Sequence, residues 1–252
     1  YVLADSYISV IEAVKHAAWS LGRVSEIVWL DAERYERGFD ALRELASYQG
    51  IIVPGGFGAR GVEGKIKVIE FCRKNDIPFL GLCYGLQLAI VEFGRNVCKL
   101  KGAHTTETNN KTSHPVIHML PEQLVNIREK RMGGSMRLGA YTCALLPGTR
   151  SHSAYCGFHG RMQKKNAHES AYLISERHRH RFEVNNDYRD IFEKNGMVFA
   201  GINPERNLVE IAELKKHPFF IGTQFHPEFK SRPLKPHPLF REFIKTAIKR
   251  KI

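Results

Sequence analysis

Pro78-Phe-Leu-Gly-Leu-Cys83-Tyr-Gly-Leu-Gln87 runs an apolar stretch into Gly-x-Cys-x-Gly and on, without a break, into Leu88-Ala-Ile-Val-Glu-Phe93. Pro78 to Cys83 reads as a buried strand, and Gly85 to Phe93 has the apolar density of a buried helix. A strand entering a helix through a cysteine flanked by glycines is a nucleophile elbow: small residues let the chain turn sharply and present the central side chain. A cysteine there opens the helix, where free N–H groups and the positive end of the dipole favour thiolate over thiol. The next amide, that of Tyr84, points to where an oxyanion would form. An inert buried cysteine is the competing reading, and the glycines on either side weigh against it.

On the N-terminal side, Gly50-Ile-Ile-Val53 is a brief buried strand stopped by Pro54-Gly-Gly56, and Val62 to Asn75 follows as a helix. Further back, Tyr7 to Leu21 carries apolar residues at helical spacing with Ser6 as a plausible N-cap. Ser25 to Leu30 reads as a strand, and Glu33 to Leu45 as a polar helix. On the C-terminal side, His104 to Pro121 is an irregular excursion, and the polar stretch Pro147 to Glu169 is the best candidate for a mobile loop or insertion. Strands are expected at Val198–Ile202, Leu208–Leu214 and Phe219–Phe225, and a last helix from Pro238 to Ile252. Alternating strands and helices imply an α/β, three-layer sandwich with a largely parallel central sheet, in one domain spanning residues 1–252. Ligands of such sheets bind beyond the carboxyl ends of the strands, where both glycine turns fall.

A cysteine nucleophile needs a base held by a third group. Phe219-Phe-Ile-Gly-Thr-Gln-Phe-His226-Pro-Glu228 offers one: an apolar strand ends at His226, and Pro227 stiffens the link to Glu228. The carboxylate can bond one imidazole nitrogen while the other faces the thiol. Val53-Pro-Gly-Gly56-Phe-Gly supplies a second close-approach backbone, with the Gly56 amide as a second oxyanion donor. No Gly-Lys-Ser/Thr follows, so this is not a P-loop.

Composition narrows the class. At 252 residues with 43% hydrophobic content, the chain builds a sizeable core. No uninterrupted apolar run approaches the roughly 18 residues of a membrane span, and no secretory signal is visible. The five cysteines are widely spaced without C-x-x-C pairs, which argues against disulfides or zinc and for a reducing, cytoplasmic setting. His178 and His180 would share a face on a strand, but no third ligand is near and arginines flank them. The net charge of +12 lacks any RNA-binding signature and reads as a solvated basic surface, so no nucleic acid or membrane partner is expected. The chain opens at Tyr1, inside what reads as a structured segment, and a domain of a longer protein is expected.

Taken together, the three glycine-, cysteine- and histidine-bearing segments resemble the class I (triad) glutamine amidotransferases. Val53-Pro-Gly-Gly-Phe-Gly-Ala-Arg-Gly, Leu88-Ala-Ile-Val-Glu-Phe-Gly-Arg-Asn-Val, Gly133-Gly-Ser-Met-Arg-Leu-Gly-Ala-Tyr, Glu176-Arg-His-Arg-His-Arg-Phe-Glu-Val-Asn-Asn and Gln224-Phe-His-Pro-Glu-Phe-Lys are similar to the C-terminal glutaminase domains of the CTP synthase family. The similarity covers nearly the whole chain except Pro147 to Ala167.

The resemblance implies a flavodoxin-like amidotransferase fold, and glutamine hydrolysis by Cys83, His226 and Glu228 through a thioester. Gly56 and Tyr84 would form the oxyanion hole, and Gly56, Tyr84, Gly85, Leu86, Gln87, Glu107 and Arg181 would contact L-glutamine. The pairing makes physical sense, because a free amino acid needs a cation for its carboxylate and an anion for its ammonium. Arg137 falls in a loop the family associates with GTP-dependent activation. No cofactor or metal is implied for this domain. ATP, UTP, magnesium and the GTP effector belong to the full-length enzyme, whose N-terminal amidoligase domain acts in cis and has no counterpart in this chain. A homo-oligomer, a tetramer by resemblance, is also implied. Tyr84 stands where the family often has Leu. Three other readings remain open: the amidotransferase of another biosynthetic enzyme, a γ-glutamyl hydrolase, and a catalytically silent regulatory module.

Overall fold

The computed structural model describes residues 4–38, 40–120, 136–158 and 172–251. Its helices are α1 (Ile8–Trp19), α2 (Val62–Lys74), α3 (Tyr84–Asn96), α4 (Arg150–Phe158), α5 (Arg189–Lys194) and α6 (Pro238–Ala247), besides short helical turns. The strands are β1 (Ile51–Val53), β2 (Phe79–Leu82), β3 (His104–Thr105), β4 (Pro115–Met119), β5 (Arg137–Leu145), β6 (Tyr172–His180), β7 (Phe182–Val184), β8 (Met197–Asn203), β9 (Leu208–Leu214) and β10 (Phe220–Thr223). Seven form one sheet in the order β1-β2-β10-β9-β8-β5-β6, and β3-β4-β7 form a smaller one.

Residues alternate across the large sheet, and each face builds its own core. On one side Ile51, Val53, Phe79, Phe220 and Phe199 meet Ile66, Ile69, Leu88 and Val91 of α2 and α3. On the other, Leu80, Leu82, Ile221 and Ile211 meet Ala13 and Ala17 of α1, Tyr155 of α4, and Phe240 and Phe243 of α6. This is the expected three-layer sandwich. α3 is buried along almost its whole length, from Tyr84 to Gly94, which explains why its sequence is apolar all round rather than on one stripe. Glu92, buried within it, is neutralised by Arg73 at 2.6 Å.

The parallel pairings are β1 with β2 and β2 with β10, and the rest of the sheet runs antiparallel. Helical crossovers join β1 to β2, whereas β5, β6, β8 and β9 form the antiparallel half. The β5–β6 ladder matches nine residues a side. Its inward-facing Arg137, Glu176, His178 and His180 are polar, which hides both strands from a reading by hydrophobic alternation.

Two expected elements take another form. Ser25 to Leu30 joins no ladder among the described residues, and neighbouring Val24 is 90% exposed. Glu33 to Leu45 breaks into short turns at Ala32–Glu36, Asp40–Arg43 and Glu44–Ser47, the first capped by the Asp31 carboxylate, which accepts from the Glu33 N–H at 3.0 Å. The polar stretch from Pro147 begins with α4, whose first amides, Arg150 and Ser151, donate to Glu213 at 2.8 and 3.0 Å. Residues 159–169 of that stretch lie outside the described residues. No helix among the described residues is long and apolar enough to cross a membrane.

Candidate active site

Three adjacent parallel strands end side by side. Val53 of β1 lies opposite Gly81, and Thr223 of β10 lies opposite Leu82. Each strand therefore releases its next residues at one edge: Pro54-Gly55-Gly56, Cys83, and Gln224-Phe225-His226. That edge is the carboxyl end, where sheets of this kind bind ligands.

Cys83 precedes α3 with φ +50° and ψ −97°, a conformation L side chains rarely adopt. Such strain persists only where the surroundings over-determine it. Here the Cys83 N–H donates to Thr223 O at 2.6 Å, and its carbonyl accepts from the Gln87 N–H at 3.2 Å. The flanking glycines allow the close turn: a Cβ on Gly85 would lie 2.1 Å from Val53 O, and one on Gly81 would lie 2.7 Å from the Gly85 backbone. Burial raises the thiol pKa of Cys72, Cys98, Cys143 and Cys156 and keeps them protonated.

His226 Nδ1 bonds Glu228 Oε1 at 2.7 Å, and the ring stacks on Phe229 with centroids 5.1 Å apart. The imidazole and Cys83 flank the same glycine, since a Cβ on Gly55 would lie 2.8 Å from His226 Cε1 and 3.7 Å from Cys83 Cβ. Burial alone would lower the His226 pKa, but Cys83 and Glu228 outweigh it and raise it to about 10. His226 Nε2 has no hydrogen-bond partner among the described residues. The upward shift comes first from the Cys83 side chain and then from Glu228.

Sequence reasoning missed Gln224 as a site residue. It is fully buried, and its Nε2 donates to Cys83 Sγ at 3.7 Å. Gln87 Nε2 donates to Phe182 O at 3.0 Å and to Gln224 Oε1 at 3.4 Å. Both amide orientations follow from this network: Phe182 O can only accept, so Gln87 turns its NH2 to it, and Gln224 keeps its NH2 for the sulfur. The NH2 of Gln87, expected to touch glutamine, is thus held by Phe182 and Gln224. Leu86 packs against β10, where a Cβ on Gly222 would come within 2.7 Å of it. Gly85 abuts β1, so both reach a ligand only through backbone.

Glu107 lies at the site's other wall, accepting from the Gly58 N–H at 3.0 Å, while the Tyr84 hydroxyl donates to Gly58 O at 2.7 Å. Arg181 is half-buried between β6 and β7, one residue before the Phe182 carbonyl that holds Gln87. Arg177 and Arg179, by contrast, are exposed. His178 and His180 do share a buried face, with Nδ1 and Nε2 2.9 Å apart. No group of three or more His, Cys, Asp or Glu that could hold a metal occurs among the described residues.

Residues 2–246 match the family model described as Glutamine amidotransferase class-I. The chain belongs to the class I glutamine amidotransferases. Among curated relatives, a CTP synthase of Caldanaerobacter subterraneus is 50% identical over 99% of this chain, and one of Moorella thermoacetica is 50% identical over 98%. The amidotransferase chain spans 43% of the length of each. A solved glutaminase domain of Trypanosoma brucei CTPS, with bound acivicin, superposes with a TM-score of 0.86 at 32% identity, covering 100% of this chain and 92% of that one.

Arg137, expected in a loop, instead opens β5 in the amidotransferase chain, 2% exposed, with Glu183 at 3.2 Å, Glu210 at 2.8 Å and the Tyr141 ring 4.5 Å away. Its guanidinium donates to both carboxylates in this buried cluster. The preceding Gly133 to Ser135 lie outside the described residues. Burial raises both carboxyls against the pull of Arg137, Glu183 to about 8 with help from Glu210, and Glu210 to about 7. Burial first, then the Arg137 charge, lowers His178 to about 3, so it stays neutral.

Arg137→Met would strand both carboxylates, and we expect a loss of about 3–5 kcal/mol in urea unfolding at pH 8. An acid whose folded pKa is raised holds more protons folded than unfolded, so its share of stability is complete below about 4.5 and is lost as pH rises through its folded value. Removing Arg137 raises both values further. The penalty is therefore expected to be smaller at pH 5 than at pH 8, and a pH-independent penalty would contradict the buried-charge account.

Proposed function

We propose that the chain hydrolyses L-glutamine to glutamate and ammonia, with Cys83 as nucleophile, His226 as acid and base, and Glu228 as its orienting carboxylate. The observation that carries this reading is the His226 ring, bonded through Nδ1 to Glu228, with Nε2 free of other bonds beside a cysteine strained at the start of a helix. The Cys83 thiolate adds to the glutamine Cδ, and the carbonyl electrons move onto oxygen. The amides of Gly56 and Tyr84 take the oxyanion, and Glu107 and Arg181 take the substrate's ammonium and carboxylate. The oxyanion then collapses, the C–N bond breaks, and His226 delivers its proton to the departing ammonia. Water, deprotonated by His226, cleaves the thioester, giving glutamate and regenerating the thiol.

We further infer that residues 1–252 are one glutaminase domain whose ammonia serves an ATP- and magnesium-dependent amination of UTP to CTP, carried out by a synthetase region in cis, with GTP as effector. Support comes from CTP synthases about 50% identical over this chain, which fills 43% of their length. A tetramer rests on the same resemblance. The test is ammonia release from glutamine, with and without the synthetase region of such a relative, together with mass spectrometry of the chain treated with a glutamine-mimicking electrophile. Ammonia release and one adduct on Cys83 are expected. No release and no adduct would end the reading and favour a silent module, whereas release unaffected by the synthetase region would favour a glutaminase of another pathway.

A further inference from the structure

The Tyr84 side chain sits under the glycine loop of the proposed oxyanion hole and touches it in several ways. The ring is 1% exposed, and its hydroxyl donates to Gly58 O at 2.7 Å. A Cβ on Gly56 would lie 3.8 Å from Tyr84 Cδ1, so the ring edge passes directly beneath Gly56. Lys65 Nζ, from α2, lies 5.6 Å over the ring. The amide of Gly58, whose carbonyl Tyr84 holds, donates to Glu107 at 3.0 Å. Burial first, then the Glu107 charge, pushes the phenol pKa upward, so the hydroxyl stays a donor at neutral pH.

The loop's own side chains do little to hold it. Gly55-Gly56-Phe57-Gly58 has three residues without a side chain, and its one ring, Phe57, is 87% exposed. Glycine-rich backbone populates many conformations, and the entropy lost on fixing it must be offset by contacts. A donor amide stabilises an oxyanion only when held within a few tenths of an ångström of its place.

We propose that the Tyr84 hydroxyl is a positioning group: it ties the Gly55–Gly58 loop to the first turn of α3, so that the Gly56 and Tyr84 amides converge on one oxyanion, and it hands Gly58 to Glu107, coupling the oxyanion loop to the carboxylate that meets the substrate ammonium. Residue 84 thus contributes twice, by its backbone N–H to the oxyanion and by its side chain to the partner amide. A leucine, which the family often has there, would keep the first contribution and lose the second. This inference rests on the glutaminase reading above and names a further residue of that site.

The experiment compares Tyr84→Phe and Tyr84→Leu with the unaltered chain, measuring kcat and KM for glutamine, the alkylation rate of Cys83 by iodoacetamide, and the melting temperature. Alkylation forms a carbon–sulfur bond by displacing iodide and develops no oxyanion, so it reports on the sulfur alone. Tyr84→Phe is expected to lower kcat about tenfold to a hundredfold, leaving KM within about threefold and alkylation within about twofold. Tyr84→Leu is expected to fall at least as far. An unchanged kcat in Tyr84→Phe, or an equal fall in alkylation and turnover together with the melting temperature, would overturn the proposal. If the unaltered chain hydrolyses glutamine and the variants match it, only this inference fails. If the unaltered chain neither hydrolyses glutamine nor is labelled at Cys83, the glutaminase reading fails and this inference falls with it.

Discussion

Cys83→Ala is expected to lower glutamine turnover by at least about four powers of ten while leaving the melting temperature within a few degrees of the parent. The activity loss follows from chemistry. Without the sulfur no thioester forms, and water alone must attack an unactivated amide. The small stability effect follows from geometry. The side chain is short, its principal polar contact is a 3.7 Å approach of the Gln224 amide, and the strained φ of +50° is kept by alanine. Glycine at 83 would relieve that strain, since it adopts positive φ freely, and is expected to stabilise the fold by about 1 kcal/mol while being just as inactive. A cysteine kept where glycine is more comfortable is a position where stability yields to chemistry. Thermal unfolding and ammonia release on the same samples check both halves. Turnover surviving in Cys83→Ala would end the assignment of this residue.

Glu228→Gln is expected to lower kcat by about two to four powers of ten with little change in KM. Glu228 Oε1 accepts from His226 Nδ1–H at 2.7 Å, which fixes the tautomer and leaves Nε2 for the reaction. A glutamine of the same shape can turn its NH2 toward Nδ1. The imidazole then carries its proton on Nε2 and cannot take one from the thiol or from water. Charge acts in the same direction. Burial pulls the His226 pKa down, and Glu228 is among the groups holding it up at about 10. Removing the negative charge lets burial pull it down, and the imidazolium becomes scarcer at neutral pH. Nitrogen chemical shifts of the imidazole across a pH titration would show the midpoint moving down. A variant within a few-fold of the parent, with an unmoved midpoint, would show that Glu228 does not orient this base.

Both predictions concern residues whose local pattern was readable. The elbow at Cys83 is written within about ten consecutive residues, because a strand, two glycines and a helix start are all short-range features. Glu228 is two residues from His226, and so is that hydrogen bond. The Arg137 cluster is the opposite case. Its partners Glu183 and Glu210 lie 46 and 73 residues along the chain, and a charged residue at the head of an alternating stretch looks like surface until its counter-ions are known. Gln224 was hidden for the same reason: Gln87 and Cys83, which give it meaning, are 137 and 141 residues away. The chain at Ser25 to Leu30 has the composition of a strand, yet composition does not supply a hydrogen-bonding neighbour.

By itself, then, the order of residues determined which segments turn sharply, which faces are apolar, which cysteine heads a helix and which histidine has a carboxylate beside it. Those properties arise from steric limits and periodicities that act over a few residues. Only the tertiary structure decided that β10 lies next to β2, with Thr223 opposite Leu82 and its carbonyl on the Cys83 amide, and so that His226 arrives at the sulfur. Apolar strands pair interchangeably as far as their patterns go. The choice among pairings is made by the packing of both faces at once, and that sum runs over the whole chain.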